Sequence, residues 1–537
     1  MIKHFDVIVI GGGATGTGIL RDLSMRGIKA FLVEQRDLAY GTSSRFHGLL
    51  HSGGRYAVKD GAAARECIDE NTILRRIGKY CVEPTEGFFV QAKGDGEEYA
   101  LKWLKACEET GIPVSKLSVD EARKLEPALS PDIEAAYRVP DGAIDGFRLV
   151  WQNAQSAQRY GGVVRTYTEV VAIHHSNGQV TGVVVRNTLS GEQEEIGCNM
   201  IVNAAGSWVG KIAALAGVEV NVHPDRGTLI AFNHRFTNRV VNRLRPPADA
   251  DIFVPHGSIT ILGTTSVATD RPDDFAVSKD EVVRQINEGK ALFGDIYDYR
   301  ILRVFSGTRP IYSPGGAGRS ASRNFAILDH QELDGLHGLV TIVGGKLTTY
   351  RLMAEKTVDK VCQLLKIQAA CRTADEPLVL PIPETIMSAA KQHLPAFGVE
   401  RAAARLGSQM EAVAQCIEKD TTKSQLVCEC EMVTLAEIET VAADAATFTL
   451  DDIRRKTRMG MGTCQGAFCG LRGVGVMVTQ GLHQERAATE VLSEFLEARW
   501  GGVRPVLWGN QLRETELTRA IYGATLNING EMHDEKE

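Results

Sequence analysis

Apolar residues open the chain as an almost unbroken run, FDVIVI at residues 5–10, closed by three glycines. A short run rich in β-branched residues and ended by glycine predicts a buried strand. From residue 14 the spacing turns helical and stops at Gly27, and IKAFLVE (28–34) predicts a second strand. Helical spacing returns over 60–80, 101–111 and 119–126. Residues 166–187 alternate on either side of Asn177-Gly178, which predicts a hairpin or three-stranded patch. Mixed strands are expected to about residue 330. GLVTIVGGK (338–346) predicts another buried strand ending in glycines, with a helix from about 348 to 366. In RTADEPLVLPIP (372–383) three prolines mark a boundary, and a helical stretch runs from there to about 418. The expected domains are 1–372, a linker and helical segment 373–425, a cysteine-bearing domain 426–483, and a C-terminal helix and tail, 484–537.

At 537 residues the chain exceeds what one core sustains, so two or three domains are expected. With 44% hydrophobic and 24% charged residues it is not disordered, collagenous or a coiled coil. A net charge of -7 without a basic stripe argues against nucleic-acid binding. No apolar run approaches the roughly 18 residues of a spanning helix. MIKHFDVIVIGGG runs straight into a glycine turn with no cleavage site, so it is not a signal peptide. The 11 cysteines are an odd number in a chain without an export signal, which disfavours a disulfide framework and leaves metal ligation or catalysis for any that cluster.

Gly11, Gly13 and Gly16 fit G-x-G-x-x-G between the first strand and helix, and Glu34 ends the second strand. This is the context of a dinucleotide fingerprint: Gly11 for the tight turn, Gly13 for close approach to pyrophosphate, Gly16 for helix packing, and Glu34 for a ribose. The helix N-terminus offers N–H groups to the phosphates. The fingerprint does not separate FAD from NAD. IVNAAGSW (201–208) and GLVTIVGGK (338–346) resemble the second and third flavin-contacting segments of the glutathione-reductase-like flavoprotein fold. Gly344-Gly345-Lys346 is not a P-loop, because the glycine required five positions before Gly345 is Val340.

HSGGRY (51–56), SGTRP (306–310), SRNF with Arg323, and GGKLTTYR (344–351) supply cations. If the flavin segments converge, Arg55, Arg309 and Lys346 share a cleft and call for an anion such as phosphate or carboxylate. These strings together resemble the FAD-dependent glycerol-3-phosphate dehydrogenases, in order from residue 5 to about 365. The resemblance implies an α/β (α+β) glutathione-reductase-like FAD fold with a mixed-sheet substrate domain. It implies FAD at Thr42, Ser43, Ser44, Val170, Ala205, Gly206, Gly344 and Gly345 as well as the fingerprint. It makes Arg55, Tyr56, Arg309, Arg323 and Lys346 candidates to hold the substrate phosphate and hydroxyls. His51 is a candidate general base for the C2 hydroxyl, a role that Arg309 or a water can share.

Cys428 and Cys430 form C-x-C; Cys464 and Cys469 form C-x4-C after a gap of 33 residues. Two close pairs of thiolates suit Zn2+ or [2Fe–2S], and spacing alone does not choose. GMGTCQGAFC (460–469) resembles the bacterioferritin-associated-ferredoxin-like [2Fe–2S] domain as fused to flavin-dependent dehydrogenases. It departs from the parent domain's usual C-x2-C. That domain would follow the flavin domain as a small helical unit. RRKTR (454–458) either offsets cluster charge, docks an acidic partner or is a solvated face.

As a whole the chain resembles the large catalytic subunits of the anaerobic branch of this family. That implies oxidation of sn-glycerol 3-phosphate to dihydroxyacetone phosphate. It implies that electrons pass to a membrane quinone through an iron–sulfur membrane-anchoring subunit, together with a second flavoprotein subunit. It implies a peripheral place on the cytoplasmic side of the inner membrane. FMN is also associated with such enzymes, but no motif places it on this chain. The alternatives are a flavin-dependent amino-acid or opine-type oxidase and a zinc-stabilised nucleotide-binding regulatory protein.

Overall fold

The first strand, Lys3–Ile10, reads as a continuous apolar run because it lies inside a sheet covered on both faces. The computed structural model describes residues 3–312, 324–444, 446–481, 487–526 and 528. They divide into two units. One runs to Arg300 and resumes over Phe305–Val379; the other comprises Ile301–Val304 and the chain from Leu380 onward.

The first unit is built on an eight-stranded sheet. Its parallel centre sets Val163–Arg165, Ala30–Val33, Lys3–Ile10, Gln193–Asn203 and Leu339–Gly344 side by side, with Phe325–Asp329 antiparallel at one edge. The hairpin Thr168–Ser176 and Gln179–Asn187 joins through the first half of Gln193–Asn203. Asn177 and Gly178 turn it with φ of +52° and +72°, the left-handed pair that an Asn-Gly turn demands. Helix Ala14–Met25 lies against Gly146–Arg159 and Tyr350–Leu365. Buried Arg21 fastens this layer: its Nε donates to Ser156 Oγ at 2.9 Å and its guanidinium to the Thr373 and Glu376 carbonyls.

A second, nine-stranded sheet supplies the remaining walls. Its order is Val267–Ala268, His223–Phe232, Ile259–Gly263, Ile252–His256, Val240–Arg243, Gly87–Ala92, Ile133–Val139 and Ser115–Leu117. The strand that carries Arg309 (Ile301–Ile311) also pairs with His223–Phe232. Helix Gly146–Arg159 has no counterpart in the sequence expectations. Its inward face carries Gln152, Asn153 and Ser156 among the apolar residues.

The second unit is helical. Glu384–Lys391, Ala396–Leu406 and Met410–Lys419 precede a two-stranded ribbon, Leu426–Cys428 with Val433–Thr434. Leu435–Ala442, Leu450–Thr457 and Cys469–Thr479 follow. Two helices follow, Ala488–Val503 and Gly509–Thr525, where a single helical run is expected; the expected polar tail, 531–537, lies outside the described residues. None of the residues of Gly509–Thr525 is buried, so the segment shows no core stripe to read.

The basic run is largely internal wiring rather than a docking face. Lys456 is buried on Ala446 O and Thr447 Oγ1, Arg458 pairs with buried Glu431, and Arg454 and Arg455 pair with Asp451 and Asp452. Arg405, fully buried, ties the turn after Cys430 in place. Its Nε donates to Glu437 at 2.8 Å, and its terminal nitrogens donate to the carbonyls of Glu431 and Met432 at 2.9 and 3.0 Å.

Candidate active site

The glycine turn is forced by contacts, not only permitted by them. Gly11 sits at φ +115°, and a Cβ there would meet Ala204 O at 2.6 Å. A Cβ on Gly16 would stand 1.9 Å from Gly11 O, so the helix can close on the strand only through glycine. Glu34 braces the turn, accepting from Gly12 N at 2.7 Å and Arg36 N at 3.0 Å. Gly13 caps the helix without a side-chain acceptor. Ser43, on the short helical turn Thr42–Ser44, takes Ala14 N at 2.9 Å, and Thr42 Oγ1 donates to Thr308 O at 2.6 Å.

This turn forms one end of a cavity of about 780 Å³. The volume and the glycine-lined wall suit a dinucleotide-sized ligand. The walls include Glu34, Ala205, Gly206, Val170 and the turn Gly344-Gly345-Lys346. Gly344 and Gly345 have φ of +81° and +78°.

The loop carrying HSGGRY is wedged against its neighbours. A Cβ on Gly53 would lie 2.4 Å from Ala64 O, and Gly54 O accepts from Trp103 Nε1 at 2.8 Å. Asn71 Nδ2 donates to the carbonyls of Leu50, His51 and Pro140, and buried Asp141 accepts Ser52 N at 2.6 Å. His51 N donates to Thr348 Oγ1 at 3.1 Å, which links this loop to the glycine turn. His51 and Tyr56 lie with ring centroids 5.3 Å apart, and Lys346 Nζ sits 5.2 Å over the Tyr56 ring.

Two of the cations are anchored from behind. Arg309 bridges buried Asp225, Thr264 Oγ1 and Thr265 O. Arg55 pairs with Asp251 at 2.9 Å, and Asp251 also holds Arg245 and Ala248 N. Such pairing fixes each guanidinium and offsets part of its charge.

A second histidine joins the site. His47 Nδ1 accepts Leu49 N at 3.1 Å, which leaves the proton of the neutral ring on Nε2, and its ring lies 5.8 Å from that of His51. Burial pushes His47 down to about 3, helped by Arg309 and Arg55. Burial, then His47, Arg55 and Lys346, holds His51 well below its ordinary range. Both rings are therefore neutral at pH 7.

These depressed values have a stability consequence. The unfolded chain binds the two protons near pH 6.5 and the folded chain does not, so stability is complete above that pH and declines below it. The slope approaches about 1.4 kcal/mol per pH unit for each histidine. Thermal unfolding between pH 7 and pH 5 should show Tm falling, with a shallower fall in His47→Gln. An identical slope in the variant would mean that His47 titrates normally.

The four late cysteines also converge. Cys430 and Cys464 bring their sulfurs to 3.9 Å, and Cys469 interacts with Cys428 and Cys464. The Cys469 contact, with the Phe468 and Gly466 amides, holds Cys464 below the usual thiol range; the same contact, with the Gly460 and Glu431 amides, lowers Cys428. Amide donors aimed at sulfur suit thiolate ligands. Among the described residues no three His, Cys, Asp or Glu side chains close around a single ion position.

The FAD dependent oxidoreductase family matches residues 6–351, and the BFD-like [2Fe-2S] binding domain matches residues 426–473. The chain is 44% identical to the A1 subunit of the anaerobic glycerol-3-phosphate dehydrogenase of Haloferax volcanii, over 98% of this chain and 91% of that one. It is 42% identical to the corresponding subunit of the Escherichia coli K12 enzyme, over 98% of each.

The chain belongs to the FAD dependent oxidoreductases.

Within them it falls in the group formed by these anaerobic glycerol-3-phosphate dehydrogenase subunits, with a [2Fe–2S] domain in addition to the flavin domain. The fold agrees: the FAD-complexed glycerol-3-phosphate dehydrogenase of Bacillus halodurans superposes with a TM-score of 0.72 at 22% identity, covering 94% of this chain and 97% of that one. In this family member, Gly11, Gly13, Glu34, Thr42, Ser43, Val170, Ala205, Gly206, Gly344 and Gly345 line the cavity, with His51, Arg55, Tyr56, Arg309 and Lys346. Gly16 and Ser44 do not line it: Gly16 packs on Gly11, and Ser44 Oγ turns back to Gly41 O. Arg323 lies outside the described residues. Sequence reasoning missed His47, Lys59 and Thr348 in the lining, and Asp225 and Asp251 behind it. Of these, only His47 left a trace, as His-x3-His with His51.

Proposed function

We propose that this chain oxidises sn-glycerol 3-phosphate to dihydroxyacetone phosphate. The observation that carries the reading is the convergence of Arg55, Arg309 and Lys346 on two neutral histidines in the cavity that the glycine turn bounds. Three cations beside neutral imidazoles match a substrate with a phosphate at one end and a hydroxyl to deprotonate at the other. Arg309 and Lys346 hold the phosphate, with Arg55 and Arg323 assisting, and Tyr56 orients the glycerol hydroxyls. His51 takes the C2 hydroxyl proton, since its ring is neutral at pH 7. Gly11, Gly13, Glu34, Thr42 and Ser43 hold FAD, and Cys428, Cys430, Cys464 and Cys469 hold the [2Fe–2S] cluster. When bound, FAD accepts the hydride and the cluster releases electrons singly. The outlet is an iron–sulfur membrane-anchoring subunit, together with a second flavoprotein subunit, and it delivers electrons to quinone. The chain sits on the cytoplasmic side of the inner membrane through these partners; no helix among its described residues is long and apolar enough to cross a membrane.

Anaerobic mixing of the FAD-loaded protein with candidate substrates tests the reading. Glycerol 3-phosphate should bleach the flavin band while glycine and proline leave it unchanged. Bleaching by an amino acid in place of glycerol 3-phosphate would favour the amino-acid oxidase alternative.

A further inference from the structure

The four cysteines differ in access. Cys428 and Cys469 are buried, Cys464 is half-buried, and Cys430 is exposed. The helix that begins at Cys469 exposes large apolar side chains. Phe468 (66% exposed), Leu471 (40%) and Val478 (54%) fall on one side of helix Cys469–Thr479 and its cap. The opposite side, with Gly473, Val474 and Met477, is buried. Arg472 ties this helix to the cysteine strand, donating to Val427 O at 3.1 Å, and pairs with Glu429, the neighbour of Cys430. Leu426, 40% exposed, stands on that same strand. Among the described residues, Glu429 and Arg472 meet here as a pair.

Large apolar side chains exposed on a helix that is tied to the strand leading to an exposed ligand position mark a contact site. Permanent subunit interfaces are apolar. A face for anionic lipid would present a cluster of cations, and among the described residues Arg472 is paired with Glu429. Electron transfer also falls steeply with distance, which makes the most exposed cysteine the natural exit.

We propose that Leu426, Cys430, Phe468, Leu471 and Val478 form the docking face of the permanent protein subunit that takes electrons from this chain. This rests on the electron-outlet reading above. In each passage the reduced cluster loses one electron to an oxidised redox centre of that subunit, and two passages follow each glycerol 3-phosphate oxidised. The docked subunit covers the Cys430 side and excludes water between donor and acceptor.

Amide hydrogen exchange tests it, comparing the native complex purified through a tag on this chain with the same chain expressed alone and loaded with FAD and cluster. Exchange across 426–430 and 468–479 should slow at least tenfold in the complex, while helix Gly61–Ile77 stays unchanged. The double variant Leu471→Lys with Val478→Lys should lower recovery of the complex at least tenfold, with flavin bleaching and the cluster's EPR signal as in the unsubstituted chain. A complex that forms with this face unprotected, or with the double variant fully incorporated, would overturn the docking face and leave the electron outlet standing. Binding of the chain alone to phosphatidylglycerol vesicles, lost in the double variant, would assign the face to lipid and overturn the proposal. A tagged chain that passes electrons to quinone with no subunit bound would overturn the outlet reading itself.

Discussion

Arg309→Ala is expected to lower kcat/KM for glycerol 3-phosphate by about 10²- to 10³-fold while the protein keeps its FAD. Two effects combine. The variant loses a guanidinium that binds phosphate in a fork, and it leaves the Asp225 carboxylate buried without its partner. An unpaired carboxylate in the cavity wall repels the phosphate that Arg309 attracted. Losing one partner of a desolvated charge pair across a binding contact costs about 2–5 kcal/mol, and each 1.4 kcal/mol is a factor of about ten. Arg309→Lys should recover only part of the loss, since a point charge cannot bridge Asp225 and Thr265 O while also meeting the substrate. Steady-state kinetics with the flavin content of each variant checks this. An apoprotein in place of an impaired holoenzyme would place Arg309 with the cofactor rather than the substrate.

Cys464→Ser should abolish electron delivery and spare flavin reduction. Cys464 sits between Cys430 and Cys469 in the chain of sulfur contacts, so its loss divides the ligand set. A serine oxygen in its place is a harder and more basic donor than thiolate. The cluster's visible bands and EPR signal should vanish, quinone reduction should fall to background, and bleaching by glycerol 3-phosphate should proceed at close to the original rate. Loss of bleaching as well would mean that cluster and flavin do not act as separable modules.

What could be read from the sequence was what depends on neighbours close along the chain. The turn at Gly11–Gly16 is such a case, since strand, turn and helix lie within the first 25 residues and the contact of Gly16 with Gly11 O is internal to them, although the Ala204 O that presses on Gly11 is not. The four cysteines announced themselves through their spacing in the same way. HSGGRY was visible as a string, but its reason was not: Gly53 and Gly54 are glycines because Ala64 and Phe89 press on them, and neither contact can be read from the motif. The anchors of the cations were invisible for a plainer reason. Asp225 is 84 positions from Arg309, and Asp251 is 196 from Arg55. A carboxylate at such a distance carries no local signal until the nine-stranded sheet brings it in, and that sheet was expected only as mixed strands. Basic residues misled in the opposite sense, because Lys456 and Arg458 look like surface charge in a string and are buried in the fold.

The most direct test of the whole account is an anaerobic titration of the holoenzyme with glycerol 3-phosphate, followed by visible absorption and EPR together. The flavin band should bleach, dihydroxyacetone phosphate should form, and a reduced [2Fe–2S] signal should grow in with it. The result that contradicts the account is a flavin band unmoved by glycerol 3-phosphate in protein that dithionite reduces normally.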